Sequence, residues 1–175
     1  MAKRAQHDHP IIEPIAQRWS PRAFSNCPVP DEALLSLFEA ARWAPSSRNE
    51  QPWRFIVGRK GRDEVWEQLL SCLDEGNRRW AQHAPVLIMT VASLTHARSG
   101  RPNRWAWHDV GLATSNLLVQ ATAMGLHAHP MAGYSAERAR AVFGIPEEFE
   151  PVAAIAVGYL GEADALPEDL RASES

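Results

Sequence analysis

Strand-length apolar runs standing among helix-period segments predict an α+β layer fold for this chain. Residues 86–92 form an uninterrupted apolar run, as expected of a strand covered on both faces. Residues 152–158 form a second, rich in β-branched and small side chains. Between and around them the apolar positions recur at helical spacing. The mixed order of elements argues for α+β layers and also admits parallel α/β winding. With 175 residues, 45% of them hydrophobic, the chain can bury a sizeable core and falls in the range of one domain, taken as 1–175.

Taken in order, residues 11–18 predict a short helix ended by Ser20-Pro21, because proline biases the residue before it away from helical geometry. Pro30, Asp31 and Glu32 open a stronger helix: proline fits a first turn, and acidic groups suit the positive end of the dipole. Leu34, Leu37, Phe38 and Ala41 mark its buried face, and Pro45 stops it. A polar loop over residues 46–52 leads into a short strand at 53–57. Residues 62–73 are helical by pattern, and a second short helix runs through Trp80 to end at Pro85.

After the strand at 86–92 comes a polar loop, 95–103, rich in arginine. A long helix over 105–124 follows, with Val110, Ala113, Leu117, Leu118, Ala121 and Met124 apolar and Gly125 as its C-terminal cap. Gly111, Ala113, Ser115 and Ala121 keep much of its surface small, which suits a helix at the centre of the core or across a subunit interface. Residues 126–130 predict a short strand, 136–143 a helix closed by Gly144, and the tail after Gly161 is polar.

The formal net charge of −3 gives no general attraction for nucleic acid or an anionic membrane, so a basic cluster must act locally, for example on a cofactor phosphate. No apolar run is long enough to span a bilayer, and the polar N-terminal residues lack the apolar core of a signal peptide. The expectation is a cytoplasmic protein. Cys27 and Cys72, the only cysteines, are read as idle thiols in a reducing compartment.

Four segments could carry chemistry. In Arg18-Trp19-Ser20-Pro21-Arg22, a helix end and a proline turn bring together two guanidinium groups and a hydroxyl, a donor set that matches phosphate oxygens. Two solvated arginines would give the same local sequence. Residues 44–53 hold Ser46, Ser47, Arg48, Asn49 and Gln51 between two prolines, and such a loop can present amides and hydroxyls to a heterocycle or a ribityl chain. An ordinary helix-to-strand connection accounts for it equally. Asn77, three residues before Trp80, is either a surface cap or a ligand contact. Pro130-Met131-Ala132-Gly133 is predicted to be a small-residue turn after a short strand, able to let backbone approach a flat ring.

His7 and His9 alternate near the start, and His127 and His129 alternate on a predicted strand, but no HExxH motif or cysteine pair completes a metal site. His83, His96 and His108 stand isolated in the sequence. GxGxxG after a strand, GxxxxGK[ST] and GxSxG are all absent, which argues against a Rossmann dehydrogenase, a P-loop enzyme and an α/β hydrolase. No nucleophile or metal is expected; the polar groups suit the holding of a cofactor.

In this order the segments resemble the nitroreductase-like family of FMN-dependent oxidoreductases. The resemblance rests on Arg18 to Arg22 followed by Phe24, on Pro28-Val29-Pro30-Asp31, on Ala40-Ala41-Arg42, and on Ala44-Pro45-Ser46-Ser47 with Asn49 before Gln51-Pro52-Trp53. It continues through Asn77 and Trp80 before Ala84-Pro85, Asp109-Val110-Gly111, Met124-Gly125-Leu126, and Val157-Gly158-Tyr159 with Gly161. It implies a homodimeric α+β sandwich, its mostly antiparallel sheet flanked by helices, with two FMN sites along the subunit interface.

By position, the resemblance gives Arg18, Trp19, Ser20 and Arg22 to the phosphate and ribityl end and sets Asn77 near the flavin. Pro130, Met131, Ala132 and Gly133 would lie against the ring, and Ser46, Ser47 and Asn49 would come from the partner subunit. It implies ping-pong hydride transfer from NADH or NADPH through FMN to a nitroaromatic, quinone or activated-alkene acceptor, with no side chain acting as acid or nucleophile. Trp105, Trp107 and Tyr134 are candidates for an acceptor pocket. A specialised flavin-binding redox protein, of a dehalogenating or flavin-fragmenting type, is the alternative within the same resemblance. The sequence departs from the family at Ala132, where relatives often carry a polar residue. It also departs beyond the last strand, where relatives place basic residues at the phosphate and Arg171 is here the only late cation. Either further chain supplies that charge or the clamp rests on Arg18 and Arg22.

Overall fold

The apolar run at 86–92 becomes an inner strand of the sheet. In the computed structural model, which describes residues 4–172 and Glu174, β2 (Val86–Ser93) is buried at every position up to Ala92. It lies between β1 (Trp53–Arg59) and β4 (Phe149–Gly158), and β3 (His127–Met131) forms the far edge in the order β1-β2-β4-β3. All three pairings are antiparallel, with Trp53 opposite Ala92, Val86 opposite Val157 and His127 opposite Gly158. The parallel winding that the order of elements allowed is not formed.

Between Thr90 and Val91 the register shifts past Val152. The Thr90 hydroxyl, wholly buried, accepts the Ala153 N–H and donates to the Ala153 carbonyl, both at 3.1 Å, so the irregularity leaves that pair satisfied.

Alternation across the pleat divides the core in two. Val86, Ile88 and Ala92 join Ile155 and Val157 on one face, covered by α2 (Asp31–Arg42) and α5 (Ala106–Ala123). Leu87, Met89 and Val91 join Ala154 and Ala156 on the other, covered by α3 (Glu64–Cys72), α4 (Glu75–Ala81) and α6 (Ala136–Phe143). On α5 the buried face is Ala106, Val110, Ala113, Leu117 and Ala121, all wholly buried, and the small residues among them let α2 approach closely. At Gly58 an added Cβ would come within 2.4 Å of the Trp66 backbone, so α3 lies directly on β1.

The flanks hold α1 (Glu13–Gln17) and α7 (Glu168–Arg171). Two expectations are corrected here. Pro130 and Met131 belong to β3 and not to a turn; a proline is tolerated there because β3 is an edge strand. The tail after Gly161 is not merely polar chain: it forms a 3-10 turn (Ala163–Ala165) and α7, and it buries Leu166. Among the described residues no helix is long and apolar enough to cross a membrane.

Candidate functional site

The β3 edge gathers most of the predicted residues. His129 Nδ1 donates to the Pro21 carbonyl at 2.8 Å; a carbonyl only accepts, so the neutral ring carries its proton on Nδ1. The Trp80 ring lies 4.5 Å from the His129 ring, and Trp19 meets His127 edge-on at 6.0 Å. The segment from Arg18 to Arg22 is thereby fixed across β3. Arg18 Nη1 donates to Ser20 Oγ at 3.2 Å, and among the described residues neither Arg18 nor Arg22 has a carboxylate within ion-pair distance. Burial pulls both His127 and His129 below the ordinary imidazole range; for His129 the Pro21 bond opposes that pull, and Arg22 and Arg18 add to it.

This segment already seats an anionic group. Glu174, 6% exposed, accepts the Arg22 N–H with both carboxylate oxygens, at 2.9 and 3.1 Å, and the Ala23 N–H at 3.0 Å. Successive backbone N–H groups turned to one side make an anion-binding concavity. Sequence reasoning missed Glu174: it lies 152 positions from Arg22, and nothing local marks an acid that returns to an amide pair.

At the end of β3, Asn77 and Gly133 are brought together. Asn77 Nδ2 and the Asp74 N–H both donate to the Gly133 carbonyl at 3.0 Å. A Cβ on Gly133 would stand 2.5 Å from Asn77 Nδ2 and 3.1 Å from Asp74 Oδ2, so any larger residue would push the Asn77 amide from its present place. The turn is Ala132-Gly133 alone, with Ala132 exposed.

The loop with Ser46, Ser47 and Asn49 lies at the opposite edge, before β1. Three sheet spacings separate the two edges, about 14 Å. The loop holds a 3-10 turn (Ser47–Asn49), and Arg48 and Asn49 within it and Gln51 just beyond it take φ of 55°, 57° and 48°. Left-handed backbone at non-glycine residues persists only where its surroundings fix it. Here Ser46 Oγ accepts the Gln51 N–H at 3.0 Å, and Asp109 Oδ2, in the first turn of α5, accepts the Ser47 N–H at 2.9 Å. Asp109 is 3% exposed and is the anchor of this loop.

Two histidines read as isolated have carboxylate neighbours. His108 Nδ1 lies 3.0 Å from Asp109 Oδ1, and His96 Nδ1 lies 3.4 Å from Glu50 Oε1, without hydrogen-bond alignment. Glu50 also accepts the Ala97 N–H at 3.0 Å, and that bond is the main reason its carboxyl titrates below the usual range. Of the suggested acceptor-pocket aromatics, Trp105 and Trp107 are exposed at the start of α5. Trp107 Nε1 donates to Glu150 and the Tyr134 hydroxyl to the Pro151 carbonyl, on adjacent residues of β4. Cys27 is exposed and Cys72 buried, both as free thiols, and burial pushes the Cys72 thiol up. Among the described residues no three His, Cys, Asp or Glu side chains are grouped to hold a metal ion.

Comparison with known proteins places these features in a family. The model of the nitroreductase family matches residues 15–159. A 15.4 kDa protein of Mycolicibacterium smegmatis is 37% identical over 129 residues, covering 70% of this chain and 85% of that protein. A Thermus thermophilus protein named NADH dehydrogenase is 32% identical over 177 residues, covering 83% of this chain and 84% of that protein. A crystal structure described as an oxidoreductase containing FMN superposes with a TM-score of 0.91 at 38% identity, covering 97% of this chain and 86% of that one.

Proposed function

Because the chain belongs to the nitroreductase family, we propose that it is a homodimeric, FMN-dependent NAD(P)H oxidoreductase acting on nitroaromatic, quinone or activated-alkene acceptors. The names of the relatives support the cofactor and the donor: NADH dehydrogenase for the Thermus thermophilus protein, and an FMN-containing oxidoreductase for the structural neighbour. The observation that carries the reading is the seating of the Glu174 carboxylate on the Arg22 and Ala23 amides, beside two arginines without ion-pair partners among the described residues. The segment accepts anionic oxygens, as a phosphate site must.

Bound FMN would supply the hydride and electron chemistry. The residues of the chain bind and orient it. Arg18, Ser20 and Arg22 would hold its phosphate, Trp19 would flank the ribityl end, and Asn77 with Pro130, Met131, Ala132 and Gly133 would border the ring. Ser46, Ser47 and Asn49 stand at the opposite edge of the sheet from the other residues of the site, and in this reading they serve the partner's site. Exposed apolar side chains offer the surface for that pairing: Ile12 is 60% exposed on the approach to α1, Leu35 61% on α2 and Trp43 73% just beyond it. A reductase fed by NADH or NADPH works where those nucleotides are held, which supports a cytoplasmic location.

The test is an absorbance spectrum of the purified protein. A yellow protein with about one FMN per subunit, bleached anaerobically by NADH or NADPH, is the expected result. A colourless protein that takes up no FMN overturns the reading.

A further inference from the structure

A basic cavity adjoins the loop of Ser47 and Asn49 on the side of the connection from β2 to α5. The connection from β2 to α5 carries Arg98, Arg101 and Arg104, and Arg48 faces it from the left-handed turn. Two neighbouring hollows of about 510 and 330 Å³ open between them, with Arg48, His96 and Ser99 in the walls of both. Volumes of roughly 300–1,000 Å³ are those of small-molecule sites. Among the described residues none of the four guanidinium groups has a carboxylate within ion-pair distance. Glu50 is the one acid in these walls, and it is already held by the Ala97 N–H and His96. The Arg104 guanidinium lies 4.9 Å from the Trp105 ring centre, and Trp105 is 46% exposed beside it.

We propose that this cavity binds the adenosine end of the reduced nicotinamide donor, with a 2′-phosphate among the arginines, so that NADPH is preferred to NADH. The inference rests on the reading of the chain as a nicotinamide-fed flavin reductase. Guanidinium forks match phosphate oxygens, and a guanidinium stacked on an indole offers a flat surface to a purine. Four unpaired cations exceed what a single carboxylate on an acceptor would call for. They suit a phosphate monoester that carries close to two charges.

The deciding measurement is calorimetric titration of the full-length protein with 2′,5′-ADP and with 5′-ADP, together with kcat/KM for NADPH and NADH. The expected result is binding of 2′,5′-ADP at least about tenfold tighter, the scale of one or two bonds to a charged group. The difference should shrink as salt is raised. Arg98→Ala/Arg101→Ala should erase the preference in both measurements by weakening 2′,5′-ADP and NADPH while leaving flavin content within about twofold, and Arg101→Gln alone should weaken it if the double variant does not fold. Equal binding of the two nucleotides by a yellow protein overturns this inference and leaves the flavin reading standing. A colourless protein that still discriminates between them overturns the flavin reading and keeps the phosphonucleotide site.

Discussion

Along β3 the candidate site is backed by finished structure: an edge strand, the His129 ring against Pro21 and Trp80, the His127 ring against Trp19, and an asparagine set on a glycine carbonyl. The loop before β1 is the reverse, three left-handed residues in a four-residue stretch, held by one serine hydroxyl and one buried aspartate. The first region places side chains on rigid backbone, whereas the second bends backbone into a costly shape. If each subunit contributes one region to a shared site, damage to either should be repairable from the other subunit. Arg18→Ala/Arg22→Ala should lower FMN affinity about a hundredfold or more, the loss of two charge-assisted contacts. Asp109→Ala should lose flavin through the opposite half. Mixed and re-paired, half the dimers carry both variants and each has one intact site, so about a quarter of the wild-type flavin should return. A mixture that binds no more flavin than its components breaks the comparison.

The anchor of the bent loop can be tested alone. Asp109→Ala removes a buried acceptor and leaves the Ser47 N–H unpaired, which should cost about 2 kcal/mol of stability. Denaturant unfolding should show that loss, and hydrogen exchange should show faster opening at residues 47–51. An exposed substitution such as Arg48→Ala should stay within about 0.5 kcal/mol. Equal losses in the two variants would mean that Asp109 does not anchor the loop.

How far the sequence foretold each region follows from the same contrast. The strands and helices were legible because burial repeats: 86–92 is apolar but for Thr90, and Leu34, Leu37 and Ala41 recur at helical spacing. Residue types also pointed to the Arg18 to Arg22 segment, to Asn77 and to Gly133. What holds these groups in place was not legible. Ser47 and Asp109 are 62 positions apart, Asn77 and Gly133 56, and Arg22 and Glu174 152. A single polar bond over such a distance leaves no period in the chain. The left-handed Arg48 and Gln51 carry no signal either, since neither is a residue type that favours that backbone.

Gly133→Ala probes the rigid half. Its Cβ would displace the Asn77 amide, the movable end of a side chain, so the fold should survive while the border of the proposed ring site shifts. An increase of about tenfold in FMN dissociation constant with a nearly unchanged melting temperature is expected, the scale of one lost bond. Unchanged flavin binding would show that the Asn77–Gly133 contact only closes the turn.

Glu174→Gln should act in the opposite direction. It keeps an oxygen acceptor for the Arg22 and Ala23 amides and removes a negative charge from the proposed phosphate end. Binding of FMN should tighten about threefold at low salt and less at high salt, as expected of a screened charge pair. Weaker binding would identify the carboxylate as a positioning group for Arg22 instead of a rival to the phosphate.

The smallest effect is a pH dependence of stability set by the two histidines of β3. Burial holds both below the ordinary imidazole range in the folded state, whereas the unfolded chain titrates near 6.5, about the reference value. Between those values the unfolded chain binds more protons than the native one, so stability rises with pH. The contribution is complete above about pH 6.5 and is lost as pH falls through the depressed native values. His127→Gln/His129→Gln removes both titrations, and the Gln at 129 keeps an N–H within reach of Pro21. Urea unfolding of the two proteins from pH 5 to 7.5, at fixed flavin concentration, should give the variant a flatter slope below pH 6.5. Parallel slopes would place the acid sensitivity elsewhere than in His127 and His129.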